Sequence, residues 1–231
     1  MLSKRLETVA QLVPAGTRMA DIGCDHGYLP LALVNRGQVT HAICCDVNAG
    51  PLAGARENAR RLGSDVAKLN FRLGDGLSVL APGEVDVVTL AGMGAGLMRD
   101  ILDAAPAVVE GLSMIVTSPN VAPWILRQWA MDHAFAVASE TVIFEGGHFY
   151  EVMALVPADA PVQYSPFDLY FGVQLPAQED AVAAAYFAHR RQHDKRLLDA
   201  WAAVRAKRAD VAERYDALTA LWKEWEEHHA G

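Results

Sequence analysis

The segment Met19–Pro30 holds the residues most suited to chemistry. A short apolar run ends in a turn that contains Asp21, Gly23, Asp25 and His26, and a helical pattern follows. This order is typical of the first strand, turn and helix of a nucleotide-binding sheet. A dinucleotide site needs a small residue where Asp25 stands, because pyrophosphate approaches the backbone there. S-adenosylmethionine (SAM) has no phosphate and carries cationic sulfonium and amino groups, so the acidic turn favours SAM over NAD.

Two further acids end later strand-like runs. Asp46 ends the second run, where a carboxylate can accept hydrogen bonds from both ribose hydroxyls. Asp75 ends the third run and can accept a hydrogen bond from an adenine amino group. Each acid alone is more typical of a turn or a helix cap. Their joint position at the ends of successive strands, however, favours one shared site. The predicted SAM-binding residues are Asp21, Gly23, Asp25, Asp46, Asp75, Gly76, Gly92 and Met93.

Two loops follow the fourth and fifth strand-like runs. Gly92-Met93-Gly94 allows either a simple turn or close backbone approach to SAM or a target base. The Asn120 amide can donate to and accept from a base edge, or it can close an Asx-type turn. His26 either acts in the chemistry, by taking up a proton or hydrogen-bonding the base, or caps the next helix. The predicted substrate-orienting residues are Asp25, His26, Tyr28 and Asn120.

Short strand-like runs and helical patterns must position these residues, and they alternate along the first part of the chain. This order predicts an α/β fold with a Rossmann-like, doubly wound and mostly parallel sheet. The last two runs flank Glu145-Gly146-Gly147-His148 without a helix between them, so they predict a terminal antiparallel hairpin. The predicted strands are 18–24, 41–47, 69–73, 85–91, 114–117, 134–144 and 149–156. The predicted helices are 2–13, 29–36, 51–62, 97–104 and 123–133.

A linker rich in Pro and polar residues, 157–166, predicts two domains, 1–160 and 161–231. After Pro176 there is no Pro or Gly until Gly231, and apolar residues recur at steps of three, four and seven. This spacing predicts a helical, coiled-coil-like hairpin that turns near residues 206–210. Tryptophans 201, 222 and 225 are more typical of the hairpin core than of a base-stacking surface.

The charge distribution limits where a polyanion could bind. The 231 residues carry a net charge of −8, which argues against nucleic acid binding over the whole surface. Residues 186–208, however, hold seven cations and two acids, a local charge of +5. The predicted RNA contacts are Lys4, Arg5, Arg190, Arg191, Lys195 and Arg196.

Several protein classes are excluded by composition. No apolar run approaches the roughly 20 residues that cross a bilayer, and the first residues lack a signal core, so we expect a cytoplasmic protein without membrane contact. The cysteines, Cys24, Cys44 and Cys45, are too clustered for a disulfide framework and are predicted to be buried, reduced thiols. His189 and His193 have zinc-compatible spacing, but no third ligand is evident, so no metal is expected.

The ordered motifs resemble the bacterial TrmK family, the tRNA (adenine-22-N1)-methyltransferases. The matching stretches are Leu2-Ser3-Lys4-Arg5-Leu6, Met19-Ala20-Asp21-Ile22-Gly23, Asp25-His26, Tyr28-Leu29-Pro30, Gly74-Asp75-Gly76-Leu77, Ala91-Gly92-Met93-Gly94, Pro119-Asn120 and Tyr150-Glu151-Val152. The resemblance implies that SAM binds over the strand ends and that a coiled-coil C-terminal domain helps to hold tRNA. It also implies methyl transfer to N1 of an unpaired adenine at position 22. Asp46 stands where Glu would be expected as readily, and the helical tail matches poorly.

Two alternatives stay open on the residues alone. One is a SAM-dependent methyltransferase of the same fold that acts on a small molecule or a protein. The other is a SAM- or nucleotide-binding module without catalysis, whose helical tail binds protein partners. Turnover of SAM that depends on RNA would separate these alternatives from the tRNA methyltransferase.

Overall fold

Residues 2–229 are described by the computed structural model, and seven strands form one sheet. The strands are β1 (Arg18–Ile22), β2 (His41–Asp46), β3 (Leu69–Leu73), β4 (Val87–Ala91), β5 (Met114–Ser118), β6 (Phe135–Glu145) and β7 (His148–Pro157). Their order across the sheet is β3-β2-β1-β4-β5-β7-β6. The first five strands are parallel, whereas β7 pairs antiparallel with β5 and β6. The predicted Rossmann-like fold with a terminal hairpin is therefore confirmed.

Helices connect and flank the strands. They are α1 (Lys4–Leu12), α2 (Tyr28–Asn35), α3 (Ala49–Leu62), α4 (Ala95–Asp103), α5 (Pro106–Val109), α6 (Trp124–Asp132), α7 (Pro166–Phe171), α8 (Ala181–Ala202) and α9 (Ala209–His228). The sequence analysis did not predict the short helices α5 and α7. Both begin with proline, which suits a first helical turn. Each is too short for a helical period to stand out in the sequence.

The strand order reverses between β1 and β4. The chain passes from β1 to β2 and β3 on one side, then returns to β4 and β5 on the other side. Such a reversal opens a crevice at the carboxyl ends of the parallel strands, where ligands bind in sheets of this kind. The loops that carry the predicted site residues all lie at this edge.

The tight turn of the β6–β7 hairpin follows from two glycines. Gly146 and Gly147 have φ angles of 58° and 84°. A two-residue turn of this handedness matches the twist of the flanking strands and strongly favours glycine. The sequence predicted this hairpin, and the strands extend one residue further into the turn on each side.

A buried ion triad fixes α6 against the hairpin. Arg127 on α6 is fully buried, and its Nε donates to Glu140 at 2.7 Å while Nη2 pairs with Glu151. Burial lowers the pKa of Arg127, but the charges of Glu151 and Glu140 outweigh that effect and hold it above its ordinary value. Removing one partner would leave a buried charge uncompensated, which typically costs about 3–5 kcal/mol.

The first compact unit ends at Gln163 and the second begins at Tyr164. Within the second unit, α8 and α9 form a helical hairpin. Its turn occupies residues 203–208, which overlaps the predicted turn at residues 206–210 and begins three residues earlier. Buried Asp194 on α8 accepts hydrogen bonds from the Tyr170 hydroxyl at 2.8 Å and from Trp222 Nε1 at 3.0 Å. A carboxylate therefore joins α7, α8 and α9.

Aromatic side chains make up much of the core of the second unit. The Phe171 ring packs at 4.9 Å from both Trp222 and Trp225, and the Phe187 ring lies 4.2 Å from Trp225. Trp222 and Trp225 are thus packing residues, whereas Trp201 is half-buried.

Three further expectations concern membranes, metals and thiols. Among residues 2–229, no helix has both the length and the apolar character needed to cross a bilayer. In the same part of the chain, no group of three or more His, Cys, Asp or Glu side chains is arranged to hold a metal ion. Cys24, Cys44 and Cys45 are buried and unbridged, and burial raises the pKa of Cys45 to about 12.

Candidate active site

The turn between β1 and α2 adopts an unusual backbone path. Gly23, Asp25 and Gly27 all have left-handed φ angles, of 74°, 50° and 70°. The amides of Gly23 and Cys24 both donate to the Cys45 carbonyl at 2.9 Å, which ties the turn to β2. The left-handed φ of Gly23 favours glycine, and the end of the Met93 side chain, from the β4 loop, packs on it, since a Cβ at Gly23 would lie 2.9 Å from the Met93 Cε.

Asp46 supports the same turn from the end of β2. Its Oδ2 accepts a hydrogen bond from the Asp25 amide at 3.2 Å, and its Oδ1 accepts one from the Asn48 amide at 2.9 Å. The side chain is mostly buried, with 8% of the residue exposed. Each carboxylate oxygen can accept more than one hydrogen bond, so Asp46 can also hold ribose hydroxyls.

Asp21 lies in β1, below the turn. It is 6% exposed, and the Thr89 hydroxyl on β4 donates to its Oδ1 at 2.6 Å. Burial raises the pKa of Asp21 to about 6, the Thr89 hydrogen bond opposes this shift, and the charge of Asp46 adds to it. Asp21 therefore acts first as a buried support, and a cationic ligand nearby would favour its ionised form.

Asp75 and Gly76 follow β3. Asp75 is exposed and begins a short 3-10 turn, Gly76–Val79, in which Gly76 is buried with a φ of 52°. The Gly74 amide donates to the Asp46 carbonyl at 3.0 Å, so the ends of β2 and β3 are joined. The exposed carboxylate is available to an adenine amino group.

Asn120 connects the ends of β4 and β5. Its amide nitrogen donates to the Met93 carbonyl at 2.9 Å, and its side-chain Nδ2 donates to the Gly92 carbonyl at 2.7 Å. Its Oδ1 accepts from Arg5 Nη1 at 3.1 Å. The side chain therefore bridges the β4 loop and α1 rather than closing an Asx turn on its own backbone.

Arg5 was predicted only as an RNA contact, but the structure brings it to the site. Its guanidinium carbon lies 4.7 Å from the centre of the Tyr150 ring, in a cation–π contact. The amides of Lys4 and Arg5 donate to the Glu145 carboxylate at 2.5 Å and 3.4 Å. Glu145 therefore fixes the start of α1, and Tyr150 holds the Arg5 side chain beside Asn120. Sequence analysis missed Glu145 and gave Tyr150 no role beyond the family resemblance, because these contacts depend on the register of the hairpin.

The remaining predicted substrate-orienting residues line the first turn. The Asp25 and His26 side chains are 68% and 49% exposed, and His26 Nε2 lies 3.6 Å from Asp25 Oδ1. The His26 ring is 5.8 Å from the Tyr28 ring, and Tyr28 is 46% exposed. Gly27 is the N-cap of α2, so the interpretation of His26 as the cap is wrong. His26 instead lies against Gly54 of α3, where a Cβ would meet its Nδ1 at 2.5 Å.

The predicted RNA-contacting cations of the second unit have different environments. Arg190 is half-buried, stacks 4.2 Å from the Tyr170 ring and donates to the Tyr170 carbonyl at 2.8 Å. Arg191 pairs with Glu226. Lys195 and Arg196 are exposed on α8. Packing thus occupies Arg190, while Lys195 and Arg196 are the more accessible charges.

The fold and the acidic strand-end site define a methyltransferase of the Rossmann-like class, and residues 2–153 match the family model described as a methyltransferase domain. A tRNA (adenine(22)-N(1))-methyltransferase from Bacillus subtilis is 33% identical over 202 residues, which cover 86% of this chain and 84% of that protein. The chain therefore belongs to the tRNA (adenine(22)-N(1))-methyltransferase family, known as TrmK.

Two solved structures support this assignment. A Streptococcus pneumoniae protein in complex with S-adenosyl-L-methionine is 30% identical, with a TM-score of 0.81 over 96% of this chain and 99% of the other. The M. capricolum TrmK in complex with S-adenosyl-homocysteine is 25% identical, with a TM-score of 0.85 over 98% of each chain. Both similarities extend through the helical tail.

Proposed function

We propose that this protein transfers the methyl group of SAM to N1 of adenine 22 in tRNA. The proposal rests on one observation. Contacts join the ends of β1, β4 and β5 in a single site, at the positions where the family motifs lie. The acidic turn after β1 contacts the β4 loop through Gly23 and Met93, and that loop is bound to Asn120. The proposed SAM-binding residues of the turn and the β4 loop are therefore next to Asn120, which is proposed to orient the substrate adenine.

The residues present fit SAM. Asp46 offers ribose hydroxyls a buried carboxylate that two backbone amides already orient. Asp75 offers an exposed carboxylate to the adenine amino group. Gly23 adopts a left-handed φ of 74° that favours glycine in the turn, and the acids of the turn attract a cationic sulfonium compound. The proposed SAM-binding residues remain Asp21, Gly23, Asp25, Asp46, Asp75, Gly76, Gly92 and Met93.

Positioning supplies most of the catalysis in this mechanism. Bound SAM supplies a methyl group that adenine N1 attacks in line, and the electron pair of the broken carbon–sulfur bond stays on the neutral thioether. No covalent bond to the protein is needed, so the side chains need only orient the adenine and exclude water. An adenine paired through N1 is blocked, and the substrate must therefore present an unpaired or extruded base.

Four side chains are proposed to orient the base. Methylation of N1 leaves positive charge on the adenine ring, so the exposed Asp25 carboxylate can stabilise the transition state more than the ground state. His26 and Tyr28 extend the same wall of the site. Asn120 presents an amide whose orientation is fixed by Gly92 and Arg5.

The tRNA body is proposed to contact cationic side chains in both units. Lys195 and Arg196 on α8, with support from Arg190 and Arg191, are the candidates in the second unit, and Lys4 and Arg5 are those in the first. Because phosphate contacts release counterions, replacing Lys195 and Arg196 by Gln should weaken tRNA binding most at low salt. A cytoplasmic location accords with a tRNA substrate and stays a prediction.

The experiment that tests the function compares methyl acceptors. The purified protein is incubated with methyl-labelled SAM and either total tRNA, a protein extract free of RNA, or no acceptor. Label should enter tRNA alone. Label in protein or a small molecule would instead support a methyltransferase of the same fold that acts on those substrates. Binding of SAM without turnover on any acceptor would support a non-catalytic module.

A further inference from the structure

The elements that flank Asn120 carry exposed apolar side chains that the mechanism does not use. Val121 and Trp124, in the loop after β5 and at the start of α6, are 64% and 48% exposed. Leu97, in the first turn of α4, is 54% exposed. We call Leu97, Val121 and Trp124 the apolar platform. Exposed large apolar side chains grouped near a site typically mark a binding surface.

The apolar platform is continuous with the candidate active site. Val121 directly follows Asn120, and its carbonyl accepts a hydrogen bond from the Ala95 amide at 3.3 Å. A Cβ at Gly94 would lie 3.5 Å from Val121 Cγ2, so Val121 packs on the loop that contains Gly92 and Met93. α4 and α6 also pack against each other. The platform therefore borders the edge at which Asn120 is held.

Trp124 is well suited to stack on a base. It stands at the first position of α6, whose backbone is fixed by a turn in which the Ile125 amide donates to the Ala122 carbonyl at 3.0 Å. Extruding an adenine removes one stacking partner from each neighbouring base. A half-exposed indole on a rigid helix can replace such a partner, because every base presents a π face.

We propose that the apolar platform, through Trp124, stacks on a nucleobase next to the target adenine. This inference rests on the proposed function, since it assigns a second RNA contact to the same substrate. The cationic Arg5 also contacts Asn120, so the surroundings of this residue combine a positive charge with the apolar platform. A protein partner is the alternative occupant, and the test treats it as a contrary outcome.

The test compares Trp124→Ala, Trp124→Phe and a matched control, Leu62→Ala. Leu62 is 50% exposed and ends α3, which runs from the carboxyl edge of the sheet towards the opposite edge. For Trp124→Ala we expect the KM for tRNA to rise about tenfold, since loss of one base–aromatic stack typically has an effect of that order. The SAM Kd and the melting temperature should not change. Trp124→Phe should stay within about threefold of wild type, and Leu62→Ala within about twofold.

A second measurement tests stacking directly. Transcripts with 2-aminopurine at position 21 or 23 report stacking of the neighbouring base by fluorescence quenching. Wild-type protein should quench one of them, and Trp124→Ala should lose most of that quenching. An unchanged KM for tRNA, or unchanged quenching in Trp124→Ala, would overturn the proposal. If wild-type protein failed to methylate tRNA, the proposed function would fail. The fluorescence measurement would still show whether the apolar platform stacks on a base.

Discussion

Arg5 and Asn120 are separated by 115 residues, yet Arg5 Nη1 donates a hydrogen bond to Asn120 Oδ1 at 3.1 Å. The opposite end of the Asn120 amide donates to the Gly92 carbonyl at 2.7 Å. The two contacts fix the orientation of the Asn120 side-chain amide, with Oδ1 towards Arg5 and Nδ2 towards the Gly92 carbonyl. Arg5 is itself held by Tyr150, and the Lys4 amide at the start of its helix donates to the Glu145 carboxylate. Helix α1 and the β6–β7 hairpin thus set the orientation of Asn120, one of the proposed substrate-orienting residues.

Loss of Arg5 should therefore affect catalysis through Asn120. In Arg5→Gln we expect kcat to fall about tenfold, or ~1.4 kcal/mol in activation free energy, while the SAM Kd stays unchanged. The double variant with Asn120→Ala should lose little more than Asn120→Ala alone, because the two residues act as one unit. The adjacent Lys4→Gln is the control for charge. Additive losses in the double variant would show that Arg5 does not work through Asn120.

Asp46 should be essential for cofactor affinity. Asp46→Ala removes a mostly buried carboxylate that accepts from the amides of Asp25 and Asn48 and is placed to accept from a ribose. We expect SAM binding to weaken by about 1.5–3 kcal/mol, the usual size of a lost hydrogen bond to a charged group. Titration calorimetry with SAM measures this change in binding free energy. Wild-type affinity in this variant would remove Asp46 from the cofactor site.

Asp25 should act on the chemical step. Asp25→Asn keeps a residue type that tolerates the left-handed φ of 50°, so the turn should persist without the charge. We expect the single-turnover methylation rate to fall at least about tenfold, with a smaller change in SAM affinity. Rapid-quench assays at saturating tRNA measure the rate. A normal rate combined with weaker SAM binding would instead assign this carboxylate to the cofactor.

Asp21 should make stability depend on pH. Its pKa is raised from 3.8 to about 6 in the folded protein, so between these values the folded state binds more protons than the unfolded state. The free energy of unfolding should therefore fall as pH rises from about 4 to about 6, by up to roughly 3 kcal/mol, and then level off. Asp21→Asn, which can still accept from Thr89, should lack this fall.

Urea unfolding of both proteins without SAM, across that pH range, isolates the contribution of Asp21. The difference in stability between wild type and Asp21→Asn removes the effects of the other acids. A difference that does not vary with pH would mean that Asp21 titrates normally.

Much of the fold was predictable because its signals are local. The strands β1 to β5 are short apolar runs, and Gly146-Gly147 specifies the hairpin turn. The positions of Asp46 and Asp75 followed from strand ends alone. The Arg5–Asn120 contact was not predictable, because it depends on how α1 packs on β7, which no local pattern encodes. The packing of Arg190 on Tyr170 was missed for the same reason.

The position of the methyl group is the most direct test of the central claim. Two tRNA transcripts, one with adenine at position 22 and one with guanine there, are incubated with the protein and SAM and then digested to nucleosides for mass spectrometry. The account predicts close to one 1-methyladenosine per adenine-22 transcript and none in the guanine-22 transcript. Equal methylation of both transcripts, or any product other than 1-methyladenosine, would contradict it.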